Sequence, residues 1–302
     1  MTEPVIHTLD LQFQGAREAI AAFLVLGPAG PVLVESGPGS CLGVLQAELA
    51  RFGLKPADIS DVLLTHIHLD HGGAAGWWAQ QGARIHVHPL GAPHLVDPSK
   101  LLASAQRIYG DRMQSLWGEY LPSPAEKVHS LTAGEVVAAG GLEFQVHDTP
   151  GHARHHVVYQ LGDLAFVGDL AGIRLSARPH TRLPTPPPEF EREAWHASVA
   201  RMRALGLRRL YLTHFGPVET AAAQWDTIDR LIDLYADSVG ADLAAGLDRE
   251  AVVARFTERE QQRLAADQLS AADQAAYASV GPMGMSVDGL IRYWTKRPES
   301  RA

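Results

Sequence analysis

Residues Leu63 to Gly73 read LLTHIHLDHGG, and this stretch places three histidines and one aspartate within six positions. The apolar run DVLLT overlaps its start and predicts a short buried β-strand. His66 and His68 are two residues apart at the end of that strand, so their side chains leave the same face. Asp70 and His71 follow on the turn into the next helix. The stretch therefore predicts that four metal-binding side chains converge on one strand-to-helix loop.

Three single residues later in the chain repeat this arrangement. His152 in DTPGH, Asp169 in FVGD and His214 in LYLTH each stand at the end of a predicted strand. Strand ends at one edge of a sheet are a common place for a site, because the sheet holds the loops rigidly. Imidazole and carboxylate together suit zinc, iron or manganese, and one metal ion seldom takes seven protein ligands. Two metal ions that share a bridging carboxylate would use all seven.

The composition narrows the class of protein. The chain has 302 residues, a formal net charge of −8 and one cysteine, Cys41. Its lysines and arginines form no long run, which argues against a nucleic acid partner, and a single cysteine gives neither a disulfide framework nor a thiolate metal site. No apolar run reaches the roughly 18–20 residues that span a bilayer, and the N-terminus lacks the pattern of a secretion signal. We expect a cytoplasmic protein with a small-molecule substrate, no nucleic acid or membrane partner, and a homodimer as an option for its assembly.

Two parts are predicted along the chain. Short apolar runs separated by Gly and Pro indicate a strand-rich catalytic core over residues 1–216. The remainder, residues 217–302, has a helical pattern and is expected to shape the substrate pocket or to cap the core. Within the core, Asp97 to Glu126 is interpreted as helical, and a hairpin is predicted to turn at Gly162 and Asp163. The proline-rich segment from Pro179 to Phe190 is predicted to be a surface loop, either a lid or a connector.

The motif H-x-H-x-D-H, followed by a single His, Asp and His at strand ends, resembles the metallo-β-lactamase superfamily and, within it, the glyoxalase II-like hydrolases. The resemblance covers roughly Val5 to Gly216. It implies an α+β fold, the four-layer αββα sandwich, here with a C-terminal helical extension. It also implies two metal ions, the first bound by His66, His68 and His152 and the second by Asp70, His71 and His214, with Asp169 bridging them.

Three positions depart from the patterns of this family. Its commonest β-lactamases are exported and carry a cysteine ligand where this chain has Asp169, so antibiotic hydrolysis is not favoured. Glu35 in VESGPG stands where the family usually has the aspartate of D-x-G. The glyoxalase II signature T-P-G-H-T-x-G-H reads TPGHARHH here, so that His155 replaces a glycine while His156 keeps the second histidine. The resemblance therefore favours a hydrolase without pointing to the substrate of glyoxalase II.

The expected activity is metal-dependent hydrolysis, in which a hydroxide that bridges two divalent ions attacks a thioester, ester or lactone. Zinc is the first expectation, with iron or manganese as alternatives. Asp70 is expected to hold the second ion and to orient the nucleophile. Trp117, Tyr120 and His156 are candidates for substrate binding, with packing as the alternative for each. Two other functions stay open: a non-hydrolytic di-iron protein for oxygen sensing or redox chemistry, and a phosphodiesterase of the same fold.

Overall fold

The computed structural model describes residues 4–132, 134–175 and 180–296. Pro179, the first residue of the predicted proline-rich loop, lies outside the described residues, as do the first residue of the predicted core and the last residue of the predicted helical extension. The described strands are β1 (Val5–Asp10), β2 (Ala21–Gly27), β3 (Gly30–Val34), β4 (Asp61–Leu63), β5 (Arg84–Val87), β6 (Val128–Ser130), β7 (Val136–Ala139), β8 (Leu142–Asp148), β9 (Val157–Leu161), β10 (Leu164–Gly168), β11 (Arg209–Leu212) and β12 (Gly216–Val218). The described α-helices are α1 (Leu42–Ala50), α2 (Leu69–Gly72), α3 (Ala75–Gln80), α4 (Ala92–Val96), α5 (Ser99–Tyr109), α6 (Met113–Trp117), α7 (Arg192–Ala204), α8 (Ala221–Ala244), α9 (Arg249–Ala266), α10 (Ala271–Ser279) and α11 (Met283–Lys296).

The described strands form two six-stranded sheets, called sheet A and sheet B. Sheet A runs in chain order from β1 to β6, with antiparallel pairs up to β3 and parallel pairs from β3 to β6. Sheet B has the order β12-β11-β10-β9-β8-β7, and only β10 and β11 pair in parallel. Leu161 pairs with Leu164 across the turn at Gly162 and Asp163, which confirms the predicted hairpin.

Apolar side chains hold the layers together. Between the sheets, Phe23 of β2 packs against Phe166 and Tyr211 of sheet B, with ring centroids 5.4 Å apart in each case. Trp78 of α3 is buried on the outer side of sheet A, and Trp195 of α7 on the outer side of sheet B. Each such side chain contributes about 2–3 kcal/mol by leaving water. The layers are helix, sheet, sheet and helix, so the predicted αββα sandwich is confirmed.

Helices α8 and α11 of the C-terminal part pack on sheet B. Ile228 of α8 and Leu290 of α11 share one apolar core with Leu212 of β11. The predicted boundary after residue 216 crosses β12, and the first of these helices begins at Ala221. The division into two parts stays a prediction. None of the helices in the described ranges has both the length and the apolar character needed to cross a membrane.

The predicted helical segment from Asp97 to Glu126 is helical only in its first two thirds. Helix α6 ends at Trp117, because Gly118 adopts a positive φ of 69° and the chain turns away. A side chain at Gly118 would meet the backbone nitrogen of Ser40 at 2.4 Å, so only glycine fits this close approach. The residues from there to Pro124 lack regular structure.

The segments that carry most of the predicted metal ligands lie at one edge of the sandwich. The parallel strands β3 and β4 of sheet A end there, as do the parallel strands β10 and β11 of sheet B. Carboxyl ends of parallel strands meet at one edge of a sheet, and the two sheets are packed face to face. The segments that follow these four strands therefore face each other across the sandwich.

Candidate metal centre

The seven predicted ligands lie together at this edge. They come from the segment after β4 and helix α2 (His66, His68, Asp70, His71), from the β8–β9 loop (His152) and from the ends of β10 and β11 (Asp169, His214). All are buried except His68 and Asp70, which are half-buried. Four segments that are distant in sequence thus deliver one cluster of imidazole and carboxylate groups.

The first group consists of three histidines whose nitrogens face one point. His68 Nδ1 lies 2.9 Å from His66 Nε2 and 3.0 Å from His152 Nε2. Two nitrogens that bind one zinc ion at 2.0–2.1 Å, with an angle between 90° and 110°, lie about 2.9–3.4 Å apart. The three histidines therefore fit the ligand set of one metal ion.

The second group contains Asp70, His71 and His214. Asp70 Oδ2 lies 3.3 Å from His214 Nε2 and 3.8 Å from His71 Nε2. Asp169 faces both groups: its Oδ1 lies 3.3 Å from His71 Nε2 and its Oδ2 lies 3.2 Å from His152 Nε2. His71 Nε2 and Asp169 Oδ1 are buried, yet neither makes a hydrogen bond within the described residues. Buried polar atoms are normally satisfied, and a cation between the two would satisfy both.

The rings are oriented by hydrogen bonds from their other nitrogen. Nδ1 of His152 donates to the carbonyl oxygen of Pro184 (2.8 Å), and Nδ1 of His214 donates to that of Ala19 (2.8 Å). Each bond fixes the ring so that Nε2 points into the cluster.

Glu35, which stands where the family usually has an aspartate, also orients a metal-binding ring. Glu35 is fully buried, and its Oε1 accepts hydrogen bonds from His71 Nδ1 (2.9 Å), Thr65 Oγ1 (2.5 Å) and Thr213 Oγ1 (3.1 Å). Its backbone has a positive φ of 66°, a conformation that costs free energy for a residue other than glycine. Its place directly after an early strand, where the family usually has an aspartate, was visible in the sequence, but its partners were not.

Burial makes the first group neutral. It lowers the pKa of His66 well below its usual range, and the neighbouring histidines lower it further. In the same way, burial followed by His152 and His155 lowers the pKa of His68 to about 3. Burial also lowers the pKa of His152. Neutral imidazoles bind a cation without first losing a proton.

The carboxylates around the second group raise the pKa values of its histidines. Burial alone would lower the pKa of His71, but the charge of Asp169, followed by Glu35 and Asp70, raises it well above its usual range. The pKa of His214 is raised by Asp169 and Asp70 against the same effect of burial. Burial would raise the pKa of Asp70, but His71 and His214 lower it to about 2. The carboxylates are thus charged, and cations would replace protons there.

A cavity of about 430 Å³ opens over the cluster and has largely apolar walls. Trp117 lines it, as predicted for a substrate-binding residue. Tyr120 does not, because it packs against the core between sheet A and its helices. His156 does not either: it is fully buried behind the cluster, where its Nε2 accepts a hydrogen bond from the backbone nitrogen of Asp169 (3.3 Å). The structure therefore gives Tyr120 and His156 packing and orienting positions rather than a substrate contact.

Other parts of the cavity wall come from segments for which the sequence left two roles open. The proline-rich loop, predicted to be a lid or a connector, lines the cavity from Pro184 to Glu189. The C-terminal part, expected to shape the pocket or to cap the core, lines it through Val280, Gly281, Pro282, Met285 and Ser286. Thr185 Oγ1 donates to the carbonyl oxygen of Ser286 (3.0 Å), which joins these two walls. His155, the replacement for a family glycine, also lines the cavity and lies 3.1 Å from Glu189. The sequence indicated these segments, but not which of their residues line the cavity.

Comparison with known proteins agrees with this geometry. The family model described as the metallo-beta-lactamase superfamily matches residues 16–214. The chain is 29% identical over 161 residues to the metallo-beta-lactamase fold-containing protein ST1585 of Sulfurisphaera tokodaii, covering 52% of this chain and 60% of that protein. It is 30% identical over 145 residues to a hydroxyacylglutathione hydrolase of Xylella fastidiosa, covering 48% of this chain and 43% of that protein. These matches span less than two thirds of the length of the curated relatives.

A solved structure extends the likeness to nearly the whole chain. The metallo-beta-lactamase family protein TTHA1429 from Thermus thermophilus superposes with a TM-score of 0.68, covering 96% of this chain and 93% of that one. The sequence identity is 20%, so this likeness concerns the fold alone.

Proposed function

The chain belongs to the metallo-β-lactamase superfamily, and from this premise we propose that it is a hydrolase that uses two divalent metal ions, zinc first among them, to cleave a thioester, an ester or a lactone. The position of Asp169 carries the proposal. This one carboxylate faces both metal-binding groups, and the whole cluster lies at the base of a largely apolar cavity. Such an arrangement supports a shared centre with open access for a small molecule.

Divalent ions bound in pairs lower the pKa of water toward about 7 and polarise a carbonyl oxygen. The residues of the chain position the other participants. Asp70 lines the cavity, and with a pKa of about 2 its carboxylate is charged at neutral pH, so it can accept a hydrogen bond from the attacking water and orient it. Cys41 offers no competing nucleophile, because burial raises its pKa to about 11 and keeps it protonated.

The walls favour an acyl substrate. The apolar residues that line the cavity include Phe13, Leu101, Ile108, Trp117 and Met285. An alkyl or aryl chain would be transferred from water into this environment at a gain of about 0.8 kcal/mol for each buried methylene. A phosphodiester, which carries charge at the reacting group and lacks an obligatory acyl chain, would use this surface less well.

The test is a panel of thioesters, aryl esters, lactones and phosphodiesters, assayed with zinc-reconstituted protein, with chelated protein, and after zinc is returned. We expect turnover of at least one of the first three classes, its loss on chelation and its recovery with zinc. Turnover of phosphodiesters alone would overturn the assignment. So would coloured protein from the native host that contains iron, consumes or binds oxygen, and hydrolyses no member of the panel.

A further inference from the structure

Arg182 is a buried cation in the wall of the cavity. Its side chain and backbone together are only 3% exposed. It forms an isolated antiparallel bridge with Ile173, and both residues line the cavity. The bridge lies in the connection between β10, which ends beside Asp169, and α7. A permanently charged group thus faces the same space as the metal-binding cluster.

The guanidinium has no carboxylate partner within ion-pair distance in the described part of the chain. Its Nη1 donates to the carbonyl oxygen of Tyr277 (2.7 Å), and its Nη2 has only a long contact with that of Gly281 (3.4 Å). The nearby buried Glu260 is paired with Arg263 through Oε1, at 2.6 Å, and its Oε2 makes no hydrogen bond within the described residues. Burial lowers the pKa of Arg182, but a guanidinium keeps its proton in proteins. A buried cation without an anion is destabilising unless a ligand supplies one.

The residues around the guanidinium border the cavity. Gly281, whose carbonyl oxygen is the distant partner of Nη2, lines the cavity, as does Arg182 itself. Lys100 and Arg112 also line the cavity, and neither has a carboxylate partner among the described residues. The other carboxylates of the cavity, Asp70, Asp169 and Glu189, are engaged with the metal-binding histidines or with His155. The remaining charge on the walls is therefore positive.

A purely structural explanation accounts for part of this arrangement. Tyr277 is near the C-terminus of α10, and an arginine commonly binds the free carbonyl groups at a helix C-terminus. That role uses one strong hydrogen bond of a group that can donate five. It does not require a guanidinium that is buried and at the same time borders a cavity.

We propose that Arg182 binds a carboxylate that the substrate carries in addition to its scissile bond, so that the substrate class is an ester or thioester of a dicarboxylic acid. This inference rests on the proposed function. The planar fork of arginine matches a carboxylate with two parallel hydrogen bonds, and such a pair is strongest where water is excluded. The apolar walls would hold the carbon chain between the carboxylate and the reacting carbonyl.

The experiment compares two thioesters of the same neutral thiol, N-acetylcysteamine, with zinc-reconstituted protein. One carries a glutaryl group and the other a pentanoyl group, so they differ by one carboxylate. The ratio of their kcat/KM values is measured for the wild type, Arg182→Met, Arg182→Lys and Tyr277→Phe. Calorimetric binding of glutarate and of pentanoate gives a second readout that needs no turnover. Tyr277→Phe is the matched control, because it removes the hydroxyl bond from α10 to His180 but leaves the guanidinium and its carbonyl partner in place.

For the wild type we expect the glutaryl thioester to be preferred about 10- to 100-fold, and glutarate to bind correspondingly more tightly than pentanoate. Arg182→Met should bring both ratios close to one, mainly through KM, and Arg182→Lys should lower them at least threefold. Tyr277→Phe should keep them. Equal binding of the two acids by the wild type would overturn the proposal, as would loss of the preference in Tyr277→Phe. If neither thioester is cleaved, the substrate panel still decides the proposed function, and the binding of the two acids still decides the role of Arg182.

Discussion

His71 Nδ1 lies 2.9 Å from Glu35 Oε1, and both side chains are fully buried. The histidine belongs to α2, whereas the glutamate follows the last residue of β3. The same carboxylate oxygen accepts a hydrogen bond from Thr213 at the end of β11, in the other sheet. Glu35 therefore sets the orientation of a metal-binding ring relative to both sheets.

Replacing Glu35 is expected to weaken metal binding. Glu35→Gln keeps the size of the side chain but removes the charge that accepts the proton of His71 Nδ1, and losses of this kind cost about 10- to 100-fold in metal affinity. Competition with a chromophoric chelator measures the change. Glu143→Gln, at an exposed position of β8, is the control and should bind metal like the wild type. Unchanged affinity in Glu35→Gln would show that the negative charge at this position is not needed to orient His71.

Two metal ions per chain are expected, and Asp169→Ala should lower the content to one or less. Asp169 is the residue whose two oxygens face different groups, so its removal takes a ligand from both. Elemental analysis after reconstitution and gel filtration measures the stoichiometry. Asp163→Ala, which removes an exposed carboxylate that pairs with Arg208, should keep two ions. No more than one equivalent in the wild type would contradict the prediction.

Asp70→Asn is expected to lower kcat by about 10²–10³ while the fold remains intact. The amide fills the same space but lacks the negative charge that the second group and the attacking water require. Activity on the best substrate of the panel, metal content and melting temperature are measured together. Activity close to that of the wild type at full metal content would refute the catalytic role of Asp70.

The two groups should lose their metal at different pH values. The raised pKa values of His71 and His214 mean that protons compete with the ion there as soon as the pH falls below those values, whereas His66 and His68 stay neutral to much lower pH. Acidification should therefore first remove the ion bound by Asp70, His71 and His214, with a loss of about tenfold in affinity per pH unit for each proton taken up. Metal content after dialysis at a series of pH values should fall in two steps. A single step that removes both ions would contradict this order.

Met285 is expected to control substrate ranking, while Trp294 supports stability only. Met285 lines the cavity, so Met285→Ala should shift the preferred acyl chain toward longer members, by about tenfold in kcat/KM. Trp294 does not line the cavity, and its Nε1 donates to the carbonyl oxygen of Ala236 at 2.8 Å. Trp294→Phe should lower the free energy of unfolding by about 1 kcal/mol and leave the ranking unchanged. A series of thioesters of increasing acyl length and thermal unfolding curves separate the two effects.

The sequence predicted those parts of the site that local patterns encode. Strand ends and the spacing of His66 and His68 are local properties, so the edge of the sandwich and the ligand cluster could be predicted. The partners of Glu35 and the place of Arg182 depend on contacts between segments that are distant in sequence. The partners of Arg182 are moreover backbone carbonyl oxygens, which leave no trace in side-chain composition. His156 was a candidate for substrate binding because it adjoins a ligand in the sequence. The turn after His152 instead directs it behind the cluster.

The arrangement of the ligands also constrains the order in which the protein can fold. Each metal-binding group takes two residues from the segment after β4 and one from a loop of sheet B: His152 completes the first group and His214 the second. An intermediate in which only sheet A has formed would offer two ligands to each ion, and tight binding requires the third. High-affinity metal uptake is therefore a late event, which follows the docking of the two sheets, and its rate in a refolding experiment would report when these long-range contacts have formed.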